Sequence, residues 1–162
     1  MWARSPLSSL ARPINTASAH WEARLQTHPQ PDTTRVIWLT IWGRALVAHN
    51  VRSARPVLLA ALALTNTGDT RRFSPSLKIQ LGTTYANVGA FADARNYRFD
   101  ALRVARYHQY PNRENPALSA LGEICRQQRH GGAARAYFVQ SLAVSQHLGH
   151  APAMLAAQLN LA

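Results

Sequence analysis

Four arginines crowd one arc of a helical segment. At about 100° per residue, Arg95, Arg98, Arg103 and Arg106 fall within roughly 140°, a basic outer face that could neutralise phosphate or an acidic protein. The same pattern is also that of a plain solvated face. Metal and acid–base chemistry find less support. His147 and His150 flank Gly149, where a helix should be ending, so they are poorly placed to share a metal ion. His130 stands beside Gly131-Gly132 and reads as a turn residue rather than a general base. Cys125 is the sole thiol and falls in one column with Tyr85, so it is expected to pack rather than attack. No glycine-rich phosphate or dinucleotide loop, zinc-protease helix or nucleophile elbow occurs, and acids are sparse. The sequence is read as non-enzymatic, with no cofactor and no metal.

These residues belong to elements that recur every forty positions. Ile41, Leu81, Leu121 and Leu161 form one column; Ala54, Ala94 and Ala134 form another. The stretches 61–65, 101–105 and 141–145 repeat small, Leu, variable, aliphatic, small. A period of this length signals stacked repeats, each too small to bury its apolar face alone. Every unit reads as two helices. Asp32 or Thr33 can cap a helix over about 35–49, and Ser53 a second over about 54–65, before Gly68. Ser74-Pro75 opens the next unit, whose first helix ends near Gly89 and whose second covers about 91–109. Asn115-Pro116 is expected to repeat that opening, Gly131-Gly132 to break the chain, and a helix over about 133–148 to end at Gly149. Ala151-Pro152 then starts a further helix. Ile41, Leu81 and Leu121 should be the large apolar residues of the first helices, and Leu62, Leu102 and Leu142 those of the second.

The columns resemble those of the tetratricopeptide repeat. Leu81-Gly82, Tyr85, Gly89, Phe91, Ala94, Ala101 and Leu102 carry the likeness in the second unit; Leu121-Gly122, Ala134, Phe138, Ser141 and Leu142 carry it in the third. In the first unit Trp38, Ile41, Ala54, Ala61 and Leu62 fit, but Trp42 stands where a small residue is expected. Lys78 and Arg98 occupy columns that are usually aromatic or aliphatic. The resemblance implies an all-α, right-handed helical-hairpin solenoid of three hairpins plus a terminal helix. Its units would run over about 35–72, 73–112, 113–150 and 151–162, after an irregular or short-helical flank over 1–31. It also implies that the first helices line a groove. Helical spacing from the Leu columns then nominates Gln80, Thr83, Asn87, Glu123, Arg126 and Gln127 as peptide-binding residues. Side-chain amides and hydroxyls can bond an extended main chain of any sequence. The Lys/Asn/Arg set with which some family members clamp an acidic chaperone tail is absent, so that ligand is not expected.

The bulk charge fits a surface that meets an acidic partner. Eighteen Lys+Arg against 7 Asp+Glu give +11 at neutral pH, and all the cations but Lys78 are arginine. The expected function is protein or peptide binding, as an adaptor or the sensor region of a larger regulator; the alternative is a basic, RNA-associated helical repeat. Nucleic acid is the less expected partner and no membrane partner is expected, since no apolar run approaches the ~20 residues a bilayer helix needs. A cytoplasmic setting is expected. A mitochondrial one is the alternative, because Arg4, Arg12 and Arg24 precede or flank the first acid, although Pro6 and Pro13 interrupt any long amphipathic helix. The last segment is rich in Met154, Leu155, Leu159 and Leu161, an apolar edge suited to self-association or a further helix.

Overall fold

The computed structural model describes residues 16–66 and 68–161, with side chains for all of these except 16–18 and 49. The arginines and prolines of the targeting question therefore lie outside the described residues, apart from Arg24. All regular structure among the described residues is helical, in eight α-helices and a 3-10 turn. None of the helices is long and apolar enough to cross a membrane. The chain divides into two compact units, over 1–71 and 72–162.

In the first unit, α1 (Thr16–Thr27) packs on α2 (Thr33–His49), and α2 on α3 (Val51–Ala63). Arg35 fixes the α1–α2 corner: its Nη1 donates to the Leu25 and His28 carbonyls, each at 2.7 Å, at the end of α1. Asp32 caps α2 by accepting from the Arg35 N–H at 3.0 Å. That bond is the main reason its carboxyl sits below the ordinary carboxylate range. One residue, Asn50, separates α2 from α3; its backbone N–H closes α2 on Leu46 and its side chain accepts from the Ser53 N–H. Asn50, not Ser53, is thus the cap of α3, and Ser53 is buried inside it.

The short joint shifts the register of α2. Ile41 is 45% exposed, against expectation, while Val36, Leu39, Trp42 and Leu46 are buried. A Cβ on Gly43 would lie 2.5 Å from Leu58 Cδ2, so Gly43 is where α3 comes closest. Trp42 is therefore core and the small residue follows it.

A 3-10 helix (Gly68–Phe73) leads into the second unit. There α4 (Ser74–Ala86), α5 (Phe91–Tyr107), α6 (Pro111–Gln127), α7 (Gly131–His147) and α8 (Ala151–Leu159) each pack on the next, and α4 also touches α6. Ser74 is the first helical residue and makes no capping bond. From Phe91 onward a helix starts every twenty residues, at 91, 111, 131 and 151. The joints are one repeated device. Gly89, Gln109, Arg129 and Gly149 all have positive φ, at 78°, 54°, 59° and 63°. The residue after each donates its N–H five residues back, to the carbonyls of Tyr85, Ala105, Cys125 and Ser145 at 2.8–3.0 Å.

This spacing overrides two local signals. Pro111 starts α6, and Asn115-Pro116 lies within it. Gly131-Gly132 are the first residues of α7 rather than a break. Asn115 is buried instead of capping: it bonds the Ser141 carbonyl at 3.3 Å and accepts from Ser141 Oγ at 3.1 Å, tying α6 to α7. Ser119 and Ser141 hydroxyls, 2.8 Å apart, extend that tie.

The alanine column is buried throughout, at Ala54, Ala94 and Ala134. Leu81, Leu102 and Leu121 are core; Leu62 and Leu142 are half-buried. Lys78 solves its apolar column by pairing with Asp100 of α5. On α8, Ala157 faces inward, whereas Leu155 and Leu159 are 58% and 68% exposed.

Candidate functional site

Arg98 is the correction on which the site turns. It was expected on the basic outer face, yet it is 5% exposed. At about 100° per residue it shares an arc with Ala94, Ala101 and Ala105, all buried, so it sits inside the stripe's inner edge. Gly82 makes the room: a Cβ there would come within 2.9 Å of Arg98 Cγ and 3.0 Å of the Ala94 carbonyl oxygen. The guanidinium reaches between α4 and α6. Its Nη1 donates to the Ala120 carbonyl of α6, and Nη2 donates to Thr83 Oγ1 of α4 at 3.4 Å. Burial pushes its pKa down and the Glu123 charge pushes it back up.

Of the six groove candidates, four join this neighbourhood. Thr83 accepts from Arg98 while its own hydroxyl donates to the Ile79 carbonyl at 3.1 Å. Glu123 accepts from Arg126 Nε and Nη2 at 2.9 and 2.8 Å, and from Gln127 Nε2 at 3.0 Å. Those Arg126 bonds lower the Glu123 pKa against the opposing effect of burial, with smaller help from Gln127 and Arg98. Gln80 and Asn87 are not bonded to the cluster. Gln80 Oε1 is buried with no hydrogen-bond partner among the described residues, and Asn87 is exposed just past α4.

The other three stripe arginines, Arg95, Arg103 and Arg106, are exposed, and the last two flank an aromatic that the stripe alone did not reveal. Phe99 is 44% exposed and meets Tyr137 of α7 edge to face, with centroids 6.2 Å apart. Its helical angle lies between those of Arg106 and Arg103, a signal legible in the sequence had apolar residues been plotted with the charges. Phe99, Leu102, Arg103, Arg106, Tyr137 and Gln140 line a furrow of about 500 Å³ between α5 and α7. A second hollow of about 450 Å³, lined by Asn96, Tyr97 and Asp100, meets it at Phe99 and Arg103.

Acids orient the furrow's arginines. Arg103 donates twice to Asp100 Oδ1, at 3.1 and 2.6 Å. Arg106 donates through Nε to Glu114 at 2.7 Å and through Nη2 to Gln140 at 3.1 Å. Arg95 has no ion pair among the described residues, and its charge is felt at Cys125 and Tyr137. Burial raises the pKa of the Cys125 thiol, keeping it protonated at neutral pH. No group of three or more His, Cys, Asp or Glu suited to a metal ion occurs among the described residues.

No protein-family model matches the chain, and no curated protein matches it in sequence.

Proposed function

We propose that the chain is a protein-binding module of stacked helical hairpins, similar to tetratricopeptide repeats, that holds an extended peptide along the first helices of its second unit. On this reading α4–α5 and α6–α7 are successive hairpins of a right-handed solenoid with α8 as its terminal helix, and α2–α3 is a hairpin of the same kind. One observation carries the proposal: Arg98 joins Thr83 on α4 to Ala120 on α6 and lies in the field of Glu123, so neighbouring first helices share one polar surface. An extended main chain offers N–H and C=O groups in alternation. The Glu123 carboxylate can accept the former, and the Gln127 and Asn87 amides can serve both.

Selection of a displayed random-peptide library against the whole chain tests this. Enriched peptides should bind roughly tenfold more weakly to the Asn87→Ala/Gln127→Ala variant, with its melting unchanged. Peptides that bind this variant as well as the parent would place recognition elsewhere.

A further inference from the structure

We propose that the furrow between α5 and α7 binds an acidic peptide segment through one aromatic or aliphatic anchor. Phe99 and Tyr137 take the anchor, and Arg95, Arg103 and Arg106 take the carboxylates. This surface is separate from the one formed by α4 and α6, and the inference stands without it.

The size and wall fit such a ligand. A hollow of about 500 Å³ falls within the range of small-ligand sites, ~300–1,000 Å³, and admits one large side chain with flanking backbone. Phe99 offers apolar surface in the midst of charge, and its edge contact with Tyr137 fixes the ring. Arg95 to Arg106 spans about 16 Å at ~1.5 Å per residue, which is about five residues of extended chain at ~3.3 Å each. An anchor flanked on both sides by acids matches that length.

The charges are prepared for carboxylates. Asp100 and Glu114 hold the forks of Arg103 and Arg106, so binding freezes less side-chain motion. The Nη1 donors of both arginines take no protein partner among the described residues, and Arg95 carries no ion pair. The whole chain, at +11, draws an acidic segment towards it. A nucleic-acid strand fits less well. Its affinity comes from neutralising a run of consecutive phosphates, whereas this face sets its arginines about a single apolar anchor point, Phe99 against Tyr137.

The test displays short peptides with Asp or Glu on both sides of a varied central residue, against a control library carrying Lys at the acidic positions. The acidic library should enrich for central aromatic or large aliphatic residues. Binding of the enriched peptides should fall roughly tenfold on Phe99→Ala and on Arg103→Gln/Arg106→Gln, and weaken between about 50 and about 300 mM NaCl. It should be unchanged on Asn87→Ala/Gln127→Ala, so this surface and the α4–α6 groove fail separately. On the unaltered chain, a photoreactive phenylalanine at the anchor position should cross-link to α5 or α7, which keeps the test valid if a variant misfolds. Three results overturn the inference: no enrichment over the Lys library, cross-links confined to α4 or α6, or tighter binding by single-stranded oligouridine that is lost in the furrow variants.

Discussion

Phe138 lies over Gly122 so closely that a Cβ on the glycine would be 2.6 Å from ring carbon Cε1. The same relation holds between Gly82 and Arg98, and, one residue out of step, between Gly43 and Leu58. Each glycine lets its helix approach the next until a side chain of that next helix covers bare backbone. Gly122→Ala should therefore force Phe138 aside and lower stability by about 1–3 kcal/mol. Thermal melting of the parent, Gly122→Ala and Gly122→Ala/Phe138→Leu measures it, with the double variant recovering part of the loss. An alanine variant that melts with the parent would mean the helices sit further apart.

Arg98 occupies the position held by Leu58 and Phe138 in the neighbouring pairs. It is buried with its Nε lacking a partner among the described residues. A buried, incompletely bonded cation stabilises less than an apolar group of similar size. Arg98→Leu should leave the urea midpoint unchanged or raise it, whereas Arg98→Ala should cost about 2–4 kcal/mol through the cavity it leaves. If leucine and alanine are equally damaging, the bonds to Ala120 and Thr83 matter more than the volume.

Gln109 and Arg129 hold the left-handed conformation that Gly89 and Gly149 hold at the equivalent joints. For a residue with a Cβ that conformation costs about 1–2 kcal/mol, and glycine's greater freedom in the unfolded chain returns about 0.5–1 kcal/mol of it. Gln109→Gly and Arg129→Gly should each raise the melting temperature slightly, and Gly89→Ala and Gly149→Ala should lower it. Equilibrium unfolding of the four variants gives both signs in one experiment. Destabilisation by either glycine would show that the left-handed geometry is absent in solution.

Much of the helical layout was legible because it rests on repeated burial. The alanine column is buried, and α5 and α7 lie near their expected bounds. What was not legible is where a packing constraint beats a local signal. Gly131-Gly132 invited a break, but the twenty-residue spacing puts the reversal on Arg129. Pro116 invited a helix start, but its missing N–H falls on the α6 side where Asn112 is exposed and water can serve the carbonyl. Ile41 looked like core until the one-residue joint at Asn50 moved the register by one. For the site, the stripe of arginines was visible, but periodicity cannot say that Gly82 admits a guanidinium. Nor does a charge plot show that Phe99 is the centre of the remaining face.

Asp100 accepts from Lys78 on α4 and from Arg103 on its own helix. Burial pushes its pKa up, but the bonds and charges of Lys78 and Arg103 outweigh that and leave it below its ordinary 3.8. A carboxyl with a depressed folded-state pKa contributes stability that is present above the unfolded value and lost as pH falls through the folded one. Asp100→Asn also leaves the half-buried Lys78 without its acid, so the variant should be less stable than the parent at pH ~6. As pH falls below 3.8 and through the depressed folded-state value, the parent's carboxylate is protonated and the two should converge. Urea midpoints of both proteins across that range provide the measurement. A gap that stays constant down to the lowest pH would mean that packing of the side chain, rather than its charge, holds α4 to α5 at this point.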